Sequence, residues 1–458
     1  MNSKRGAQIT EGPLFKSIIS YAIPIMLGNY ISILFNAADI AVLGNYADKN
    51  AVAAVGATSA IVALLVSSFI GISAGTNVLL SRFIGAKDEQ NAKRCVDTSI
   101  IGSFALGIFI ALVCFAVSKT FLVWSACPVE IIDDANVYLR YYFLGIPAMM
   151  VYNFGATIIR ASGDSKKPFL YLALSGLLNL VLNLVLCLLL TQKVVAVAIA
   201  TLVSQTLGAV LVIVHLLRLG GMCRFSFKNM TFSVPILKGI LKNGLPCAFN
   251  TSLYAISNLQ IQAAINSFGP ACVAGNAIAG NIEGFVSAIN SAFGTTTIVF
   301  VSQNYGARNQ SRLDKTIWIN GIISFSATLI LGNLIYIFGE SIFSIYLPGE
   351  QESISFAMTR ASYILLCYWI PGIKAVINAT TQGYGYAIYP MATSIIAILG
   401  VRVLWMAFIY PLFPQYVSIV QCYIVSWALS FICDIIIFAI IHKKKKNELK
   451  IPPSFARA

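Results

Sequence analysis

Residues 21–44 read YAIPIMLGNYISILFNAADIAVLG, an apolar run with Pro24 near its start and one acid, Asp39, near its far end. A helix needs roughly 20 apolar residues to cross a bilayer, and this run is long enough. A carboxylate inside it is costly unless it faces protein or water, so Asp39 is a candidate functional residue. The outline returns at residues 243–277, NGLPCAFNTSLYAISNLQIQAAINSFGPACVAGNA, where Pro246 takes the place of Pro24 and Ala271–Asn276 that of Ala51–Gly56. In the second copy the Asp39 position holds Gln or Ile. The chain is therefore read as two similar halves, of which one carries the acid.

Of the 458 residues 58% are hydrophobic and 10% charged, and the mean hydropathy is +0.81. Soluble domains carry about 25% charged residues, so the composition predicts an all-α polytopic membrane protein. Apolar runs of about 20 residues, continuous rather than alternating, exclude a barrel. The net charge of +14 does not point to nucleic acid, because the cations lie in short clusters between apolar runs. Ten cysteines, among them Cys187, Cys367 and Cys433 within apolar segments, read as small core residues without a disulfide framework or metal spacing. The N-terminal segment MNSKRGAQITEGPLFKS is too polar for a cleaved signal peptide, so the first span is expected to be retained.

Breaks of Gly, Pro and charge predict twelve spans, at 17–41, 52–80, 96–118, 134–156, 167–190, 194–217, 238–264, 274–300, 316–338, 357–379, 387–410 and 418–441. Cations gather on one side: Lys4, Arg5 and Lys16, then Arg82 to Arg94, Arg160 to Lys167, Arg218 to Lys242, Arg308 to Lys315 and Lys443 to Lys450. The other side holds Lys49, Lys119, Arg140, Lys193 and Arg360 among acids that include Asp48, Glu130, Asp133 and Glu340. The positive-inside rule then places both termini in the cytoplasm.

Arg82-Phe-Ile-Gly-Ala-Lys87 after span two matches Asn304-Tyr-Gly-Ala-Arg308 after span eight, and Gly163-Asp164 before span five matches Gly385-Tyr386 before span eleven. The offset is 220 to 222 residues throughout. Six spans separate the copies, so they run parallel and predict two lobes related by a pseudo-twofold axis along the membrane normal. The division is residues 1–217 for the N-lobe, 218–237 for a cytoplasmic linker, 238–442 for the C-lobe and 443–458 for a polybasic tail suited to anionic lipid.

The doubled outline, the acid in span one and the paired Gly-Ala-basic loops resemble the multidrug and toxic compound extrusion (MATE) transporters, from about residue 12 to residue 442. The resemblance is to the DinF-like branch, since the span-seven position where the NorM-type branch usually carries a Glu is Tyr254. It implies two six-helix lobes alternating around a central cavity. It implies secondary efflux of organic, often cationic and amphipathic compounds, driven by inward flow of Na+ or H+.

Asp39 is the expected proton or Na+ acceptor, with Asn36 three residues earlier on nearly the same face. Asn179 and Asn183 in GLLNLVLNLVL are four apart and share a face of span five. In the family that pattern commonly reads Asn-x-x-x-Asp beside the span-one acid, whereas here the second position is an amide. One carboxylate with amide and hydroxyl oxygens still suits a hard cation such as Na+, and equally a single proton. The resemblance adds Thr201 of span six to that cation set, Asn153 of span four as a further polar member, and Ser204 and Gln205 as weaker candidates. Alternatively the amides and Thr201 serve helix packing. In the C-lobe, Glu283 and Lys374 are ionisable groups within spans and form a candidate pair, as do Arg402 and Asp434. Tyr30, Phe35, Tyr254, Phe285 and Phe293 fall on the spans that line the family's cleft, and with Glu283 and Lys374 they make the expected substrate wall. Pro24 and Pro246 are expected to bend their helices.

Four function classes compete. An enzyme would need a convergent catalytic set, yet His215 and His442 are the two histidines and sit near span ends. A flippase for a lipid-linked substrate is the alternative within the wider superfamily, but such proteins often add spans and a strongly cationic cavity. A static channel does not call for two lobes with one asymmetric acid. The expectation is a monomeric, plasma-membrane antiporter of small organic compounds, in contact with membrane lipid, with no nucleic-acid partner and no cofactor, and with H+ or Na+ as its coupling ion.

Overall fold

A computed structural model of the protein describes residues 9–46, 49–125 and 127–450. The expectations for Lys4, Arg5, Asp48 and the chain end past Lys450 lie outside the described residues. Among these residues the regular structure is helical, with no strand. We label the helices α1 Leu14–Tyr46, α2 Lys49–Gly85, α3 Glu89–Trp124, α4 Ile132–Leu144, α5 Ile146–Ala161, α6 Lys166–Leu189 and α7 Lys193–Arg218. The second half holds α8 Val234–Asn266, α9 Pro270–Gly306, α10 Gln310–Ile337, α11 Gly339–Tyr346, α12 Gln351–Ile364 and α13 Trp369–Gly383. It ends with α14 Ile388–Ile409 and α15 Tyr416–Lys450.

Among the described residues nine helices are long and apolar enough to cross a membrane, and eleven segments qualify if α4 with α5 and α12 with α13 each make one bent span. Span seven of the expected twelve corresponds to α8, which is not in that set. Its sequence is interrupted by Asn250, Thr251, Asn258, Gln260 and Gln262, so a single long helix forms without a continuous apolar surface. Several helices outrun the predicted spans: α2 and α9 are each 37 residues, about 55 Å at 1.5 Å per residue against a hydrocarbon core of about 30 Å.

The repeat is visible in backbone detail. Lys87 and Arg308 both adopt the left-handed conformation, at φ 56° and 55°, which non-glycine residues seldom take. Each is followed by a capping residue: Asp88 accepts from Asn91 N at 3.0 Å, and Asn309 accepts from Arg312 N at 3.1 Å. The Gly-Ala-basic loops are thus tight turns that start α3 and α10. Gly163 and Gly385, at φ 95° and 78°, close α5 and α13 in the same way, each donating its backbone N–H to the carbonyl three residues back. The bends correspond as well, 46° between α4 and α5 and 49° between α12 and α13.

The chain forms two compact units that do not divide at one point of the sequence. Unit 1 contains Ile23–Leu245 and unit 2 contains Thr10–Ala22 together with the chain from Pro246 onward. The predicted boundary at the 218–237 linker therefore differs in one respect: the start of α1 belongs with the second half and the start of α8 with the first. Both exchanges end next to the repeated prolines, at Pro24 and Pro246.

Local contacts explain the exchange. In unit 2, Tyr21 packs edge-on against Phe300 of α9 with ring centroids 5.5 Å apart, and Arg312 of α10 donates to the carbonyls of Glu11 and Gly12, both at 2.8 Å. In unit 1, the backbone N–H and hydroxyl of Thr231 each donate to the buried Asp97 of α3 at 3.2 Å, and Ser233 N donates to Thr98 at 3.1 Å. The lead-in to each proline helix is held by the third long helix of the unit that receives it. Among the described residues no disulfide joins the cysteines. Lys445 and Lys446 of the polybasic tail are engaged by protein acids, Glu448 at 2.6 Å and Asp314 at 3.3 Å.

Candidate functional site

In unit 1 the packing of α1 on α6 creates the site. Gly176 of α6 leaves room for the Phe35 ring, whose space a side chain there would occupy. One turn beyond Phe35, Asp39 meets the next turns of α6. Asn183 donates its amide to Asp39 Oδ1 at 2.8 Å and to Asn179 Oδ1 at 3.2 Å. Asn179 has two orientations: with its oxygen on this side it accepts from Asn183, and with its nitrogen turned there it gives up that bond and donates to both carboxylate oxygens at 3.0 and 3.1 Å. Asn179 and Asn183 are buried, at 8% and 1% exposure, while Asp39 is half-buried. Among the described residues no Lys or Arg pairs with Asp39. The buried Asn183 Oδ1 has no donor.

This arrangement has a definite chemical capacity. An anionic Asp39 uses the amide nitrogens of both asparagines. With the Asn179 oxygen turned toward it, three oxygens converge, which calls for a proton or a small hard cation between them. The orphaned Asn183 oxygen is a further acceptor beside that point.

The other members expected of this cluster are placed differently. Thr201 is half-buried and donates to its own helix at Val197 O, 2.9 Å. Asn153 donates to Met149 O at 2.9 Å, also within its own helix, and Asn36 is exposed. The gathered set is therefore Asp39, Asn179 and Asn183. One residue was not anticipated: Tyr138 of α4 is buried near Thr201 and Asp39. The tyrosine-rich VYLRYYF stretch is its only sequence signal.

The interior of unit 2 follows another plan. Glu283 of α9 does not pair with Lys374, as the sequence suggested, but with Arg360 of α12 through two bonds, Nε to Oε1 at 2.7 Å and Nη2 to Oε2 at 2.8 Å. Arg360 also donates to Asn276 at 2.8 Å, and Tyr416 donates to the same Asn276 oxygen at 3.2 Å. Counted from sequence with the cations of the less basic side, Arg360 is 7% exposed. Lys374 lies 2.8 Å from the Tyr254 hydroxyl and 3.8 Å from Asp434, so Asp434 is its partner rather than that of Arg402. Thr393 completes Asp434 at 2.6 Å. Arg360, on α12 before the 49° bend, meets α9, and Lys374, on α13 after it, meets α15.

Of the expected substrate wall, Glu283, Phe293 and Lys374 lie inside unit 2 at 8%, 5% and 4% exposure. Tyr30, Phe35, Tyr254 and Phe285 are half-buried. Phe35 is committed to packing on Gly176.

Comparison with known proteins places this geometry. The MatE family profile matches twice, over residues 24–185 and 246–407, beginning at the two prolines. Among curated relatives, the probable multidrug resistance protein YoeA of Bacillus subtilis is 27% identical over 85% of this chain and 86% of its own length. The multidrug export protein MepA of Staphylococcus aureus is 22% identical over 82% of this chain and 84% of its own. A MATE crystal structure in complex with MaL6 superposes with a TM-score of 0.90 at 22% identity, covering 97% of this chain and 99% of that one. A MOP-superfamily transporter from Pyrococcus furiosus gives 0.85 at 22% identity over 98% and 99%. The structural likeness is one of fold; the family rests on the profile, which spans most of the chain in two copies. The chain belongs to the MatE family of membrane transporters and is not an enzyme.

Proposed function

We propose that this protein is a cation-coupled exporter of small organic, amphipathic and often cationic compounds. H+ or Na+ entering through the Asp39 cluster of unit 1 drives export by alternating access. The observation that carries the reading is Asp39 itself, a carboxylate within a membrane-crossing helix that meets two amides and, among the described residues, no cation. Such a charge is stabilised by binding a proton or a hard cation, and the unpartnered Asn183 oxygen adds a ligand to either. The names of relatives such as MepA, a multidrug export protein, support the export reading.

The chain would work as a monomer in the plasma membrane with twelve spans and both termini cytoplasmic, an arrangement supported by the cation asymmetry of its loops. Neither a cofactor nor ATP is required. The test is accumulation of ethidium in inverted vesicles carrying the protein, with a Na+ gradient and a pH gradient imposed separately. The expected result is uptake that follows one gradient and collapses with it; uptake indifferent to both gradients would contradict the proposal.

A further inference from the structure

Among the described residues five charged side chains are buried in unit 2: Glu283, Arg360, Lys374, Arg402 and Asp434. They comprise three cations and two carboxylates, and the carboxylates are committed. Both oxygens of Glu283 are taken by Arg360, and Asp434 is held by Thr393, Ser430 and Lys374. Arg402 has only neutral partners among the described residues. Its Nε donates to Ser426 at 3.2 Å, and its Nη1 donates to Ser257 at 3.2 Å and Asn258 at 2.8 Å. Its guanidinium lies over the Tyr423 ring at 4.4 Å, a ring it shares with Arg360 at 5.1 Å. At 1% exposure it is a cation with a large desolvation cost, placed near a second guanidinium, with no anion opposite it.

A second observation concerns the backbone. Arg402 stands on the four-residue α-helical stretch Val401–Leu404, between two π-helical stretches, Ser394–Gly400 and Trp405–Ile409. π segments are rare and occur frequently at functional sites, because they re-aim the side chains between them. A third observation is access. Asn258, which binds the guanidinium directly, is exposed although Ser257 beside it is buried. The charge is thus one side chain from the accessible surface of α8.

We infer that Arg402 is the centre of an organic-anion site in unit 2, which takes the carboxylate or sulfonate of an amphipathic aromatic compound. The anion completes the charge balance of the interior, Ser257, Asn258 and Ser426 orient the guanidinium, and Tyr423 backs it. The site rests on the export reading only in calling that compound a substrate. Binding to the purified protein is measured without transport, so failure of one is distinguishable from failure of the other.

The test is equilibrium dialysis of the full-length protein in detergent with 2-naphthoate and with its neutral isostere 2-naphthamide, for wild type, Arg402→Gln and Arg402→Lys. Wild type is expected to bind naphthoate at least tenfold more tightly than naphthamide. Arg402→Gln removes that preference, and Arg402→Lys keeps most of it. Equal binding of the two compounds by wild type overturns the inference, as does an Arg402→Gln protein of unchanged melting temperature that keeps its preference. Displacement of naphthoate by equimolar chloride overturns the organic-anion assignment. If Arg402→Gln does not fold, the wild-type and Arg402→Lys comparison decides.

Discussion

Asp39 in unit 1 is met by two asparagines and by no cation among the described residues, whereas in unit 2 Glu283 and Asp434 each face a cation, Arg360 at 2.7 Å and Lys374 at 3.8 Å. Counted from the paired prolines, the unit 2 counterpart of Asp39 is Ile261, which is 0% exposed among other apolar side chains. One scaffold thus carries two kinds of interior. Fixed ion pairs satisfy their own charges and hold helices in place. The carboxylate met by amides has no fixed counter-charge among the described residues, which under the proposed function leaves it open to a mobile proton or ion.

Breaking the pair in unit 2 is the most severe way to probe this contrast. Arg360→Gln strands Glu283 in the interior and is expected to cost about 3–5 kcal/mol, read as a large fall in melting temperature of the solubilised protein. Glu283→Gln combined with Arg360→Gln should recover much of that loss. In unit 1, Asn183→Ala removes a hydrogen bond to the carboxylate worth about 1.5–3 kcal/mol. It should shift apparent affinity for the coupling ion roughly tenfold or more in a flux titration, toward tighter binding where the ion is a proton, because the carboxylate loses a donor, and toward weaker binding where it is Na+, which loses the Asn183 oxygen, with a modest fall in melting temperature. Gly176→Ala drives a methyl into the Phe35 ring and should cost about 1–3 kcal/mol, with reduced transport, because α1 can no longer bring Asp39 onto α6. Asn153→Ala is expected to change stability by no more than about 0.5 kcal/mol and to leave transport near wild type. A strong effect there would return Asn153 to the cluster.

The features legible in the sequence are those set by local spacing. The prolines, the Gly-Ala-basic turns and the glycine closures were readable because each is fixed within four or five residues, and their recurrence at 221 to 222 residues points to the doubled fold. Asn179 and Asn183 were readable as a pair because one helical turn separates them. Partnership across helices was not. Whether Glu283 meets Lys374 or Arg360 is set by which helices pack together, and the stretch LCYWIPG does not give the 49° angle between α12 and α13. Arg360 was counted with the cations of the less basic side although it lies within the predicted span 357–379, and its burial against Glu283 is a product of packing. The π-helical stretches around Arg402 and the exchange of helix starts between units are likewise products of packing, without a local signature.

The most direct test of the central claim is drug-induced ion flux in proteoliposomes, comparing wild type with Asp39→Asn under a Na+ gradient and under a pH gradient. Asparagine keeps the size of the side chain and removes its capacity to carry a proton or neutralise Na+. The account predicts that the variant folds and binds substrate but loses flux coupled to whichever gradient drives wild type. Coupled flux equal to wild type under that gradient would contradict it, and coupling would then belong to unit 2, with Lys374 and Asp434 as the first pair to examine.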